Sequence, residues 1–497
     1  MSKVFKNMLR TEVMAVIMCI VVFLGVTTAS IGRSSIWHDE GYTATLIEGS
    51  YGGIVMRTAK DVHPPLYYLV LKAWSAVVGD SVVTLRWFSA SCMLGALIVT
   101  WHLLRRLYGW RLAVAGLAAM SMGPFLVRYG QEMRMYGLAS LLASLATYVY
   151  VLMRSRARVS NRLAITYGVL VAAGMYTQYF FVLVPAVHVF HAAMAYKGTF
   201  TQKLQSLLAY KTSVITAAVL FAPWVPKMFA QFVGVQGSFW IGPVGVETLT
   251  STPVAMTYFK KQYEMTGVEG LAAVASLLFV IVLVRQFILK QKDTNSRLLA
   301  LAILLPPALL FMLSIPPLQP SYQDRYMSFL APIFYSVLGM AVLLFAHKRM
   351  RIAVGISLFV LLFHGQYSNY WDGNNHGWNP RPAFTMNQII DQIDGNGPVY
   401  ATSLWTYFDA HITLRDRGFN EVNQVLVDKV PTNWGGNWSA LYERPELLTT
   451  TIPKNTKVFW LIDESGERKY KGSELNDYEA GQTTQIGYAR ITKYYHR

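Results

Sequence analysis

Apolar residues in this chain come in long blocks separated by short polar stretches. Blocks near 13–32, 84–104, 112–127, 137–153, 163–177, 179–196, 212–230, 268–289, 298–315, 327–346 and 352–367 approach the roughly 20 residues a helix needs to cross a bilayer. The pattern predicts a polytopic α-helical membrane protein with about eleven transmembrane helices. HPPLYYLVLKAWSAVVGD (63–80) stands apart. It is short for a span, and a crossing there would reverse the sidedness of every later basic cluster. It is expected to lie in the membrane interface, with Tyr67, Tyr68 and Trp74 in the headgroup layer and Pro64 and Pro65 at a helix start. Residues 34–83 then form a large outer loop with in-plane juxtamembrane helices. Residues 231–267 form a second outer loop, and QPSYQDR (319–325) a third. The first block has no clear small-residue cleavage site and reads as a retained span.

Beyond Tyr367 the texture changes. SNYWDGNNHGWNPRP reads as a linker. GPVYAT, VNQVLVD, KVFWLID and ARITKYYH read as strands, and LWTYFDAHITLRD as an amphipathic helix. Two domains are expected: a transmembrane domain over residues 1–367 and a small α/β domain over 368–497.

Composition supports the membrane reading. Of 497 residues, 53% are hydrophobic and 14% charged, where soluble proteins carry roughly a quarter charged. The net charge of +17 would suit nucleic acid, but the cations sit between spans, in clusters at 3–10, 105–111, 154–162, 197–211, 285–297 and 348–351. By the positive-inside rule those clusters are cytoplasmic. That places the N-terminus in the cytoplasm and, after an odd number of crossings, the C-terminal domain outside the cell membrane. No nucleic-acid partner is expected. Cys19 and Cys92 both fall inside expected spans, so no disulfide framework is expected.

Candidate chemistry begins at WHDE, where Asp39 and Glu40 follow the first span. Charges at membrane level are costly unless they line a wet cavity or find partners. The plainer alternative is that Asp39 caps the helix that follows. The same loop carries Asp61 and His63, the second outer loop carries Lys260 and Lys261, and RYGQEMRMYG carries Arg128, Glu132, Arg134 and Tyr136. YTQYF carries Gln178 and Tyr179, and YQDRY carries Tyr322, Asp324 and Arg325. Acids, arginines and tyrosines gathered beside a membrane suit a substrate with both phosphate and sugar hydroxyls, because Arg forks phosphate oxygens and carboxylates accept hydroxyl protons. Each group also has a plain reading. Arg128 and Glu132 would make an i,i+4 pair, Asp324 and Arg325 a span-end ion pair, and His188 and His191 packed helix residues. Carboxylates at 39, 40 and 61 are also the oxygen ligands that Mg²⁺ or Mn²⁺ takes.

WHDE (37–40), DVHPPL (61–66), RYGQEMRMYGL (128–138), GMYTQYF (174–180) and QDRYMSFLAP (323–332) resemble the membrane glycosyltransferases of the GT-C fold. The likeness is in particular to the superfamily of protein O-mannosyltransferases and aminoarabinose transferases of lipid A. It covers the first 200 residues or so, thins to scattered motifs through 367 and gives nothing specific beyond. The resemblance implies an inverting transferase that moves a hexose or pentose from a polyprenyl-phosphate donor to an acceptor hydroxyl on a glycan, lipid or protein at the outer face. It implies Asp39 as general base, Glu40 as an acid that assists binding or position, and Asp61 and His63 as the second loop acid and its neighbour. Arg134, Arg325 or Lys260 and Lys261 would hold the donor phosphate. It also implies that no metal cofactor is required, although a divalent cation is compatible with the acids. Two tyrosines follow Leu66 where the eukaryotic mannosyltransferases continue differently, so a different acceptor site is expected. The rival class is a transporter or flippase of a lipid-linked sugar, whose marks are inverted repeats and broken helices with ionisable groups near the midplane. Here the ionisable groups lie mostly at the outer ends, and LPPAL (305–309) is the main helix-breaking signal within a span.

Overall fold

The structure, a computed structural model, describes residues 3–33, 35–156, 159–195, 210–235, 241–258, 267–370, 385–419, 423–464 and 470–497. Lys260, Lys261 and most of the expected linker at 368–382 fall outside the described residues. The chain forms two compact units.

The first unit comprises Met1–Ala29, Ser89–Phe229 and Val235–Gly377. Helices occur at every expected span. Among the described residues 8 are long and apolar enough to cross a membrane, or up to 9 if one bent pair counts as a single span. The protein is therefore a multi-pass membrane protein. The expected count of eleven is higher because Asn161–Met175 has only 15 residues and Tyr179–Ala195 is among the shorter apolar helices.

The helix breaks differ from expectation. The block 112–127 is two helices, Trp110–Ser121 and Pro124–Gly130, bent by 61°. Pro124 lacks an N–H and carries a helix-ready φ, so it opens the second helix better than it continues the first. By contrast, LPPAL breaks nothing: Thr294–Met312 runs through Pro306 and Pro307 as one helix. Packed membrane helices tolerate proline where neighbours re-satisfy the freed backbone. His188 and His191 are packed polar residues. His188 Nδ1 meets the Tyr167 hydroxyl at 2.7 Å, and His191 Nδ1 meets that of Tyr150 at 2.8 Å.

The second unit comprises Ser30–Phe88, Ala230–Gly234 and Trp378–Arg497. Its early part holds the short helices His38–Glu48, Tyr51–Lys60 and Leu66–Val78. Tyr67 and Tyr68, expected in the headgroup layer, are instead buried core residues. Helix Leu66–Val78 turns them inward, Tyr67 onto Phe88 at 5.8 Å and Tyr68 edge-on to Tyr42 at 6.4 Å.

The C-terminal part is a six-stranded sheet in the order β3-β2-β1-β4-β6-β5. Its strands are β1 (Val399–Ala401), β2 (Asn423–Leu426), β3 (Leu448–Thr449), β4 (Val458–Glu464), β5 (Tyr478–Ile486) and β6 (Ala489–His496). β1 pairs in parallel with β2 and β4, and β2 with β3, whereas β6 runs antiparallel to β4 and β5. Four strands and helix Leu404–Asp416 fall where the sequence predicts them. β5 was not foreseen, because YEAGQTTQI is a largely exposed edge strand without an apolar face. Tyr400, Leu426, Phe459, Leu461, Tyr478 and Tyr494 form a buried cluster in this part.

Candidate active site

The acidic turn lies in the second unit. Helix His38–Glu48 begins at Trp37, whose extended backbone (φ −122, ψ 160) makes it the N-cap without a capping side chain. Asp39 is therefore inside the first turn and is not the cap. Carboxylates there face the unpaired N–H groups and the positive end of the helix dipole. Asp39 is half-buried, and Thr43 Oγ1 donates to its carbonyl at 2.8 Å.

Glu40 is fully buried, and an arginine that sequence reasoning missed explains how. Arg86 Nε donates to Glu40 Oε1 at 3.0 Å and Nη2 to Oε2 at 2.7 Å. The same guanidinium donates to the carbonyls of Ile31 (2.9 Å) and Ser35 (3.1 Å). One cation thus neutralises Glu40 and fixes the backbone leading into the turn. The signal was present: Arg86 is a lone charge near the start of the apolar helix Val82–Tyr108, and such a charge needs a named partner.

Asp61 ends helix Tyr51–Lys60, its N–H bonding the carbonyls of Arg57 and Thr58 at 3.2 Å each. Tyr42, one turn beyond Asp39, lies beside Asp61, and its hydroxyl pairs with Ser439 Oγ at 3.0 Å. Burial, reinforced by the Asp61 charge, pushes the Tyr42 phenol well above its ordinary range, so it remains a hydroxyl. His63 is half-buried, directly before Pro64. The unit thus holds Asp39, Glu40, Asp61 and His63 together on short helices and their connections.

C-terminal helix Leu404–Asp416 packs on helix His38–Glu48. At Gly41 an added Cβ would stand 2.7 Å from the backbone C and O of Phe408, so this crossing requires glycine. Trp405 meets the His38 ring edge-on at 4.0 Å. At the far end Glu48 is caged by His411 (3.2 Å), Arg415 (3.0 Å) and Arg444 (3.2 Å). Burial opposes ionisation there, but the His411 bond and the nearby positive charges prevail and hold Glu48 down at about 2.

The arginine–tyrosine turns lie in the first unit. After Pro124–Gly130 the chain turns and re-enters helix Tyr136–Arg154. Gly137 permits this, since a Cβ there would collide with the Ser89 carbonyl. Arg128, Glu132, Arg134 and Tyr136 are all buried. Arg128 Nε pairs with Glu132 Oε1 at 3.2 Å, the expected i,i+4 bridge. Arg325 and Arg134 are the positive charges acting on the Tyr136 hydroxyl.

Arg325 lies 5.8 Å from the centre of the Tyr326 ring, Phe180 stacks on that ring at 5.0 Å, and Gln178 Nε2 donates to the Tyr326 carbonyl at 3.3 Å. These contacts bring Arg134, Tyr136, Gln178 and Arg325 into one neighbourhood. Tyr179 instead accepts from Trp224 Nε1 at 2.8 Å, and Tyr322 bonds Thr252 Oγ1 at 2.7 Å, which also donates to Asp324. A buried arginine, Arg134, and a half-buried one, Arg325, among aromatic rings can grip an anion. Among the described residues no group of three or more His, Cys, Asp or Glu is placed to hold a metal ion.

A polytopic helical chain with an acidic turn after its first span, an arginine–tyrosine cluster on later turns and a C-terminal α/β segment has the GT-C fold of membrane glycosyltransferases. Over residues 62–226 the sequence matches the family described as dolichyl-phosphate-mannose-protein mannosyltransferase. The fold is similar to that of ArnT from Cupriavidus metallidurans in the apo state, with TM-score 0.61 and 12% identity, covering 96% of this chain and 97% of ArnT. ArnT bound to undecaprenyl phosphate is similar with TM-score 0.60 and 11% identity, covering 97% of each chain. The apo oligosaccharyltransferase of Archaeoglobus fulgidus is similar with TM-score 0.50 and 12% identity, covering 91% of this chain and 69% of that one. No curated protein matches the chain by sequence.

Proposed function

We propose that this protein is an inverting glycosyltransferase that moves a sugar from a polyprenyl-phosphate-linked donor to an acceptor hydroxyl at the outer face of the cell membrane, with Asp39 as general base. The observation that carries the reading is the acidic turn itself. Asp39 is half-buried in the first turn of its helix, beside a Glu40 that is sealed from solvent and paired with Arg86, and of the two acids Asp39 is the one that reaches solvent. The GT-C fold and the mannosyltransferase match over 62–226 support the reaction class. The undecaprenyl phosphate bound by the similar ArnT supports a polyprenyl phosphate as the leaving group.

In this mechanism the acceptor O–H proton passes to Asp39 while the acceptor oxygen attacks the anomeric carbon. The bond from that carbon to the phosphate oxygen breaks, and the polyprenyl phosphate leaves with the electron pair. A single displacement inverts the anomeric centre. Arg134 and Arg325 oppose the charge that grows on the leaving phosphate, with Lys260 and Lys261 as further candidates. Asp61, His63, Arg128, Glu132, Tyr136, Gln178, Tyr179 and Tyr322 line or brace the donor and acceptor sites, and the chemistry requires no metal. The basic clusters support a cytoplasmic N-terminus and an outer location for residues 368–497.

The test is to incubate the purified protein with a panel of radiolabelled polyprenyl-phosphate sugars and potential acceptors. Label that leaves the lipid with wild type and stays with Asp39→Asn supports the proposal. Label that crosses a vesicle membrane still attached to its lipid would establish the flippase reading instead.

A further inference from the structure

Helix Leu404–Asp416 brings one more carboxyl to the acidic turn. Gly41 lets the backbone of Phe408 come into contact, and the next residue, Asp409, is sealed from solvent with 1% exposure. Its Oδ2 accepts from the Tyr488 hydroxyl, while Oδ1 is buried without a hydrogen-bond partner. The charges acting on it are those of Glu40 and Asp39, both negative. A carboxylate so placed would meet like charge without solvation, whereas a neutral carboxyl meets neither penalty.

We propose that Asp409 is a positioning residue for Asp39, holding a proton at the crossing of helices His38–Glu48 and Leu404–Asp416 so that the acidic turn keeps its place. The role rests on Asp39 being the base. Burial, with the charges of Glu40 and Asp39 behind it, keeps Asp409 well above the usual carboxylate range, and the Tyr488 hydrogen bond opposes that rise.

On helix His38–Glu48 the further titratable groups are His38, against Trp405, and Tyr42, against Phe408. Tyr488 itself feels Glu464 at the end of β4. The neighbouring Asp463 is held by Arg490 at 3.2 Å and Thr402 at 2.7 Å. His411 and Arg415, further along the helix, are engaged with Glu48. Helix Thr385–Ile390 presents no titratable side chain. Ionising Asp409 would put a further negative charge beside Asp39 in a buried crossing, and the acidic turn would lose its support.

The experiment uses the full chain in detergent, in two arms. Infrared difference spectra of wild type are expected to show a protonated carboxyl at neutral pH that disappears on alkalinisation and is missing in Asp409→Asn. In the transfer assay, with whichever radiolabelled polyprenyl-phosphate sugar is turned over, the wild-type rate is expected to fall about tenfold per pH unit on an alkaline limb. Asp409→Asn abolishes that limb and leaves the acid limb in place, since residue 409 is neutral there in both proteins. Tyr488→Phe removes the opposing hydrogen bond and moves the limb to higher pH. An alkaline limb unchanged in both variants, or a carboxyl band unchanged in Asp409→Asn, overturns the proposal. A preparation with the expected band but no sugar transfer overturns the glycosyltransferase reading and leaves the buried proton standing.

Discussion

Arg86 and Glu40 form a two-pronged ion pair, Nε to Oε1 at 3.0 Å and Nη2 to Oε2 at 2.7 Å, with both side chains sealed from solvent. Only guanidinium presents this fork while also reaching two carbonyls, and an ammonium keeps the charge without the geometry. Removing one partner of a buried pair typically costs about 3–5 kcal/mol. Arg86→Leu is expected to lose that much, read as thermal unfolding in detergent. Arg86→Lys is expected to lose less stability yet still reduce transfer, because the Ile31–Ser35 backbone is no longer held.

The proposed role of Asp39 as base separates binding from chemistry. Asp39→Asn keeps size and removes basicity, so the transfer rate is expected to fall by about 10²–10⁴ while donor binding stays close to wild type. Single-turnover rates and direct donor-binding measurements on the same preparation check this. Ordinary turnover by the variant would end the base assignment.

Gly41 is predicted to be intolerant of even one methyl group. The atoms its Cβ would meet at 2.7 Å are backbone atoms of Phe408, which no rotamer change can move. Gly41→Ala is expected to cost about 1–3 kcal/mol, the usual penalty of overpacking, and to lower transfer by disturbing the neighbouring Glu40. Gly52→Ala, where nothing lies within 4 Å, is the matched control, expected to be milder.

Glu48 gives a pH dependence with a defined sign. Its folded value of about 2 lies below the ordinary 4.5, so its ionised form adds stability above 4.5 that is lost as pH falls toward 2. Wild type should lose unfolding stability across that window. Glu48→Gln should be less stable at neutral pH, by about 1–3 kcal/mol for charge-assisted bonds, and flatter below it. Chemical denaturation at stepped pH compares the two slopes.

Much of this fold was legible in the sequence, for reasons particular residues show. Apolar blocks located the helices because bilayer thickness sets their length, and LWTYFDAHITLRD matched Leu404–Asp416 because an amphipathic pattern is a local signal. The helix breaks went astray because proline acts according to its surroundings: Pro124 follows a glycine and opens a new helix, whereas Pro306 and Pro307 are carried through. Asp39 and Glu40 were visible as acids at a span exit. Arg86 left a signal as a lone charge in an apolar helix, but its partner did not, and Asp409 and Tyr488 left none, because their meaning lies in partners far away in sequence; no periodicity reports that Gly41 will meet Phe408.

The second unit joins residues 30–88 to 378–497, and this carries a consequence for biosynthesis. The ribosome releases the acidic turn long before it makes the helix that covers it, so the nascent chain exposes Gly41 and Tyr42 until translation is nearly finished. A chain truncated before residue 404 would lack the helix that covers the turn.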